Sequence, residues 1–383
     1  MRVTPAGDIL TEKVKLLINK EMKVRSILYA TLCGLLVTTG FTACSDDDDD
    51  DDSWKEGSKV ELPQYRAFIL CEGMQKQNNS HLFFYDPTEQ KLMTDDIYEL
   101  QNGRKLGDTA NDIITANGDI YIVVNVSQLL LRLNGSGVEQ ARYDRFDADG
   151  LGEPRNAVVA DGKLFVTCYG GFVARFDLKT LALEAKVTVD ANPEQIVELG
   201  DSLYCVNSGY GTGHTLSAVN VKKFDKAVSH ETLFNPYGLQ KANGRLYVSA
   251  YGADYSNPVG IYDVKTTATK KIGNAGRVLA SGDRLYMLNS TSPDWVTYTT
   301  TFSVYDATTD GVSAWNLKGA PEAMTTGKVP YFMEVNPVDG SLFIGYTDYF
   351  SEGTVYVFDA NDSYKATFTV PGINPNGMAF LAR

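Results

Sequence analysis

The stretch NGRLYVSAYG, residues 243–252, decides the fold, because the chain repeats it with variations. NGDIYIVVN begins at Asn117, DGKLFVTCYG at Asp161, GDSLYCVNSGYG at Gly200, GDRLYMLNS at Gly282 and DGSLFIGYTDY at Asp339. Each copy is a tight polar turn followed by a strand in which apolar residues alternate with small or polar ones. Asn-Gly or Asp-Gly ahead of such a strand is a strong hairpin signal. A second mark recurs with the same period: a bulky apolar residue followed by Asp or Asn, then a turn. The pairs are Tyr85-Asp86, Leu133-Asn134, Phe176-Asp177, Val219-Asn220, Tyr262-Asp263, Tyr305-Asp306 and Phe358-Asp359. From one acidic or amide member to the next the steps are 48, 43, 43, 43, 43 and 53 residues. A period near 43 holding about four short strands is that of a propeller blade. Seven marks predict an all-β, seven-bladed β-propeller.

The ends of the repeat predict how the ring closes. RAFILC, residues 66–71, matches the second strand of later repeats, and nothing before it supplies a first strand. The seventh repeat finishes near Val370 and leaves residues 374–380, NPNGMAF, without a blade. That segment matches the inner-strand openings Asn192-Pro193-Glu194 and Asn235-Pro236-Tyr237-Gly238. The C-terminal strand is therefore expected to complete blade one, which removes the open sheet edges.

Strand direction then sorts residues onto two faces. Inner strands run from an upper face to a lower one, so the Asn-Gly turns and the apolar-Asp pairs fall below, where the Asp or Asn is expected to bond backbone amides. The connections above are longer and aromatic, with Tyr210, Tyr251, Tyr255, Trp295, Tyr298, Tyr349 and Phe350 among Asn, Asp, Ser and Gly. Second strands end upward in Tyr169 and Tyr346, and the openings of inner strands bring Asn111-Asp112, Arg155-Asn156, Pro193-Glu194, Pro236-Tyr237, Gly276-Arg277 and Pro330-Tyr331 to the channel mouth. Loops on a rigid scaffold are where binding residues concentrate, and Tyr and Trp offer wide contact with a polar tip. The candidate ligand-binding set is Arg155, Asn156, Tyr169, Tyr210, Tyr237, Tyr251, Arg277, Trp295, Tyr331 and Tyr346.

The first 52 residues stand apart from the repeat. Met22 opens a plausible start, Lys23 and Arg25 give a positive segment, residues 27–41 form an apolar run of signal-peptide length, and Thr42-Ala43-Cys44 ends it. Seven aspartates, Asp46 to Asp52, follow; like charges at that density repel and stay solvated. Residues 1–43 are thus read as leader and signal peptide, 44–65 as a lipid-bearing Cys44 and acidic tether, and 66–383 as the propeller.

Composition narrows the function. The first 52 residues hold six of the chain's 35 basic and ten of its 48 acidic groups, which leaves 29 against 38. A domain at −9 has no electrostatic footprint for nucleic acid. Of five cysteines, Cys33 falls in the signal and Cys44 at its end; Cys71, Cys168 and Cys205 sit within predicted strands without metal spacing, as buried free thiols. His81, His214 and His230 suggest no triad or metal cluster and are expected to be solvated. No metal or cofactor and no catalytic role is expected, although Glu194, Asn111, Asn156, Asp112 and Asn376 are the oxygen donors a calcium-dependent hydrolase would need.

Phe41-Thr42-Ala43-Cys44 resembles a bacterial lipobox, with Phe41 where an aliphatic residue is usual, and the aspartate run resembles the export signal of surface lipoproteins in one group of Gram-negative gut bacteria. The LYV strands and NPxG turns resemble the YVTN and NHL-like propellers. Taken together, these resemble the surface lipoproteins that capture cobalamin and pass it to a TonB-dependent outer-membrane transporter. The resemblance implies a lipid-anchored, surface-exposed protein and a cobalamin-like small molecule as transported ligand. Tyrosines and Trp295 would form its contact surface, and Arg155, Asn156 and Arg277 would donate to its amides and phosphate. An adhesive or scaffold propeller binding protein or glycan is the first alternative, and a lactonase-like hydrolase or lyase the second.

Overall fold

The computed structural model describes residues 52–294 and 297–381. The leader, Cys44 and Trp295 lie outside them. Seven four-stranded antiparallel sheets, each a meander, form the described chain. Six are continuous in sequence. Blade one is built from Pro375–Leu381 paired with Arg66–Cys71, then His81–Asp86 and Lys91–Asp96, so the C-terminal strand closes the ring as expected.

The turns behave as their residues dictate. Asn117-Gly118, Asp161-Gly162 and Asn243-Gly244 have positive φ at both positions, the geometry of a two-residue hairpin turn whose twist matches its strands. The acceptor of each apolar-Asp pair caps backbone amides beyond the third strand: Asp86 takes Thr88 and Glu89, Asp177 takes Lys179 and Thr180, Asp263 takes Lys265 and Thr266. Asn134, Asn220, Asp306 and Asp359 do the same. The 48-residue step holds a helix, Ile97–Asn102, started by the Asp96 carboxylate and ended by Gly103 in the left-handed region. The 53-residue step holds the long connection between Gly311–Ala314 and Val329–Val335.

Strand alternation builds the core. Phe68 and Leu70 pack toward blade two, while Ala67, Ile69 and Cys71 on the same strand pack toward blade seven. Both faces of a blade are therefore buried, and an apolar cluster fills each seam between neighbours. Cys71, Cys168 and Cys205 are buried free thiols in these seams.

Two expectations need correction. Not all of residues 44–65 is a free tether: from Trp54 onward the chain is a strap docked on the lower face. Trp54 is buried with the Arg66 guanidinium 3.6 Å over its ring, and Asn134 donates to the Glu56 carbonyl at 2.9 Å. Val60 and Leu62 join the seam between blades one and two. Isolated apolar residues in a polar, repeat-free segment leave no periodicity by which to recognise this. His81 is not simply solvated, because its Nδ1 lies 2.8 Å from the Asp96 carboxylate.

Candidate functional site

The inner strands open at the upper face with a break in register. It falls between Ala110 and Asp112, Pro154 and Ala157, Pro193 and Ile196, Pro236 and Gly238, and Pro330 and Phe332. Blade one has it between the partners of Pro375 and Gly377, and blade six has none. The residues left unpaired by these bulges are Asn111, Arg155 and Asn156, Glu194 and Gln195, Tyr237, Tyr331 and Asn376. A bulge re-aims its extra side chain, and here each bulge supplies the channel mouth. Pro supplies no donor at these openings, where the ladder has not yet begun.

Some of these groups lace the ring together. The Asp112 carboxylate accepts from the Ala157 amide at 2.8 Å, Gln195 from Leu239 at 2.9 Å and Gln240 from Ala280 at 2.7 Å. Asn376 donates to the Ala110 carbonyl at 2.7 Å. Burial pushes the Asp112 carboxyl up to about 6 against these bonds, and burial with the Asp112 charge pushes Glu334 up to about 8. Both line the central channel, a space of about 280 Å³.

On one side of the mouth the charged groups are paired with each other. Arg155 Nε donates to Glu194 Oε2 at 2.8 Å, and the Tyr169 hydroxyl shares that oxygen at 3.2 Å. Glu194 Oε1 accepts from Asn192 at 3.0 Å and Ser208 at 2.9 Å. Glu194, one of the oxygen donors of the calcium reading, is thus engaged four times. Among the described residues no three His, Cys, Asp or Glu side chains are grouped to hold a metal.

The other side is open. A hollow of about 710 Å³ lies over blades five, six and seven, walled by Tyr237, Tyr251, Tyr255, Tyr298, Tyr331 and Tyr349 with Arg277 at its base. Tyr237, Tyr251, Arg277 and Tyr331 also line the channel, so the two spaces communicate. The rings brace each other: Tyr237 and Tyr251 are 4.4 Å apart between centroids, and Tyr331 meets Tyr349 edge-on at 5.9 Å. The Tyr237 hydroxyl donates to the Gly276 carbonyl at 2.8 Å and the Tyr331 hydroxyl to Glu72 Oε2 at 2.5 Å. Burial holds the Tyr237 phenol up at about 12, and burial with the Glu72 charge lifts Tyr331 further, so both are neutral donors near pH 7. Arg277 lies 4.8 Å over the Tyr331 ring and donates from Nε to the Tyr331 carbonyl at 2.6 Å and from Nη1 to the Gly276 carbonyl at 2.7 Å.

Of the ten candidate residues, the hollow and channel gather Arg155, Asn156, Tyr237, Tyr251, Arg277 and Tyr331. Tyr169 is tied to Glu194, and Tyr210 is exposed with its hydroxyl on the Tyr169 carbonyl at 3.2 Å; neither lines the hollow. Tyr346 corrects the sequence reading: it is fully buried, its ring against Tyr356 and its hydroxyl on the Met324 carbonyl at 3.1 Å. One step along a strand exchanges surface for seam, and a sequence that buries both blade faces does not mark the difference. Trp295 lies outside the described residues. Glu72, Asn289 and Glu334 were absent from the candidate set; they sit one each on a loop, a second strand and an inner strand, with no pattern around them.

No family model matches the chain, and no curated protein does. Solved structures match its fold. The periplasmic gluconolactonase of Pseudomonas aeruginosa superposes with a TM-score of 0.58 at 13% identity, over 83% of this chain and 99% of that one. Hydrazine synthase of Kuenenia stuttgartiensis gives 0.57 at 14% identity over 70% and 88%, and the dihydro-heme d1 dehydrogenase NirN 0.51 at 13% over 84% and 76%. At such identities the likeness carries the fold alone: the chain has the architecture of a seven-bladed β-propeller.

Proposed function

We propose that this propeller is a capture protein for a large, flat, polar-fringed nutrient, a corrinoid of the cobalamin type, which it binds at the upper face and passes to a TonB-dependent outer-membrane transporter. The observation that carries the reading is the tyrosine-walled hollow over blades five to seven, open to solvent above and to the channel at its side. Its volume falls within the range of small-molecule sites, which are apolar-walled with a few placed polar groups. Backbone strain adds support. Tyr255 and Tyr349, both on the wall of the hollow, have φ of 56° and 71°, a left-handed conformation that costs a bulky residue about 1–2 kcal/mol. Both are exposed, so the strain serves no core. Strained residues of this kind cluster at ligand clamps. The rim tyrosines and Phe350 extend the aromatic surface beyond the hollow and suit a ligand larger than it.

In this reading the protein binds without chemistry, and the lipobox-like Cys44 and the aspartates after it anchor it on the cell surface. Among the described residues no helix is long and apolar enough to cross a membrane. Cys44→Ala is expected to release a folded protein from the membrane fraction; unchanged fractionation places the anchor elsewhere. Calorimetry with cyanocobalamin tests the capture itself. Tyr251→Ala should weaken binding by about 2 kcal/mol, roughly thirtyfold, and Asp263→Ala on the lower face should leave it unchanged. No heat with the unaltered protein ends the corrinoid reading.

A further inference from the structure

We infer that the hollow holds its ligand by an oxyanion, a phosphate-type group seated on Arg277. The inference rests on the hollow being the ligand site, as proposed above, and adds the charge of what enters it. Two arginines stand at the channel mouth, and their surroundings differ. Arg155 is neutralised by the Glu194 carboxylate at 2.8 Å. Arg277 forms no ion pair among the described residues; its two bonds go to neutral carbonyls, Tyr331 at 2.6 Å and Gly276 at 2.7 Å, and its face lies on the Tyr331 ring. Two carboxylates reach into this region, and both are engaged: Glu72 by the Tyr331 hydroxyl at 2.5 Å and the Asn111 amide at 3.0 Å, and Asp254, on the wall of the hollow, by the Ser256 amide at 3.1 Å.

A guanidinium enclosed by aromatic rings without a counter-charge is costly to the empty protein. It is kept where a ligand supplies the charge. With Nε and Nη1 fixed on carbonyls and the Tyr237 hydroxyl beside the guanidinium, the planar fork cannot turn away. Asn289 lines the same hollow with its Oδ1 enclosed and unbonded. With the oxygen the enclosed atom, the NH2 is the end of the amide left to face the hollow and give an anion a second donor. The tyrosines supply the walls for the flat body that carries the charge. At Arg155 the counter-charge is internal, supplied by Glu194.

The test uses two probes on the full chain. Cyanocobalamin carries a phosphodiester, and cobinamide is the same corrin ring without the nucleotide and its phosphate. Phenyl phosphate and phenol form a second pair that owes nothing to corrins. The expected result is that Arg277→Gln weakens cyanocobalamin and phenyl phosphate at least tenfold while changing cobinamide less than twofold, with Arg277→Lys intermediate. Asn289→Asp, which places a negative charge in the hollow, should weaken phenyl phosphate as well and covers the case in which Arg277→Gln folds poorly. If corrinoids do not bind but phenyl phosphate binds and depends on Arg277, the capture reading fails and the anion seat stands. If cyanocobalamin binds equally well to Arg277→Gln and Asn289→Asp, the anion seat is wrong and the capture reading survives. Phenyl phosphate binding no better than phenol to the unaltered protein overturns the seat as well.

Discussion

At the scale of single residues, the two mouth arginines show how identical side chains take opposite roles through their partners. Glu194 is the hub that Arg155, Tyr169, Asn192 and Ser208 share, and it is buried. Removing one partner of a buried pair leaves the other charge uncompensated, at a cost of about 3–5 kcal/mol. Glu194→Ala should therefore lower the urea midpoint strongly, and a small shift would mean that Arg155 finds other solvation. Glu334 makes a pH prediction. Its carboxyl, pushed up to about 8 from an ordinary 4.5 by burial and the Asp112 charge, keeps its proton in the folded chain where the unfolded chain has lost it. The folded state binds more protons, so this group makes stability fall as pH rises from about 4.5 to about 8. Glu334→Gln should melt like the unaltered protein near pH 4.5 and a few degrees higher at pH 8, by differential scanning calorimetry at both pH values. Identical pH profiles would show that the channel solvates the carboxylate.

At the scale of elements, the inner strand is the unit that joins stability to function. Its lower half pairs regularly and packs the seams; its upper end, bulged in every blade but the sixth, delivers a polar or aromatic side chain to the mouth. A one-residue slip would send every side chain of the strand into the opposite seam and take the site residues out of the mouth. Pro375–Leu381 is the strand on which closure depends, bridging Arg66–Cys71 while packing toward the inner strands of blades two and seven. Deleting residues 372–383 exposes two strand edges and the apolar seams on either side. Loss of cooperative unfolding and aggregation are expected in chemical denaturation. A retained single transition would show that six complete blades and three remaining strands suffice.

At the scale of the molecule, the propeller has a fastened face and a free one. The strap from Asp52 to Leu62 lies on the lower turns, where a side chain at Gly135 would meet Arg66 at 2.9 Å, the Gly118 carbonyl at 3.2 Å and Trp54 at 3.3 Å. Eight residues, Cys44 to Asp51, then reach at most ~30 Å, less than half of what an undocked tether would allow. Trp54→Ala should cost about 3 kcal/mol locally, seen as faster proteolytic cleavage near residue 60, with upper-face binding untouched. Unchanged cleavage would mean that the rest of the strap holds without it.

The sequence by itself determined the seven blades, the closing strand and the division of faces. Those depend on local chemistry that repeats: Asn-Gly turns, Asp caps and two-residue alternation are each written in a few neighbouring residues, and the period counts them. It also brought Tyr237, Tyr251, Arg277 and Tyr331 into the candidate set, because inner-strand openings recur in the repeat. Which of those residues are available was decided only in three dimensions. Arg155 and Glu194 are 39 positions apart, and Arg277 and Tyr331 54. Whether a charge meets a carboxylate or an empty hollow depends on what the neighbouring blades contribute at that height, which no spacing along one strand encodes. Tyr346 went into a seam and Trp54 onto the lower face for the same reason. Burial on a propeller is settled by the adjoining blade, and the adjoining blade lies some forty residues away.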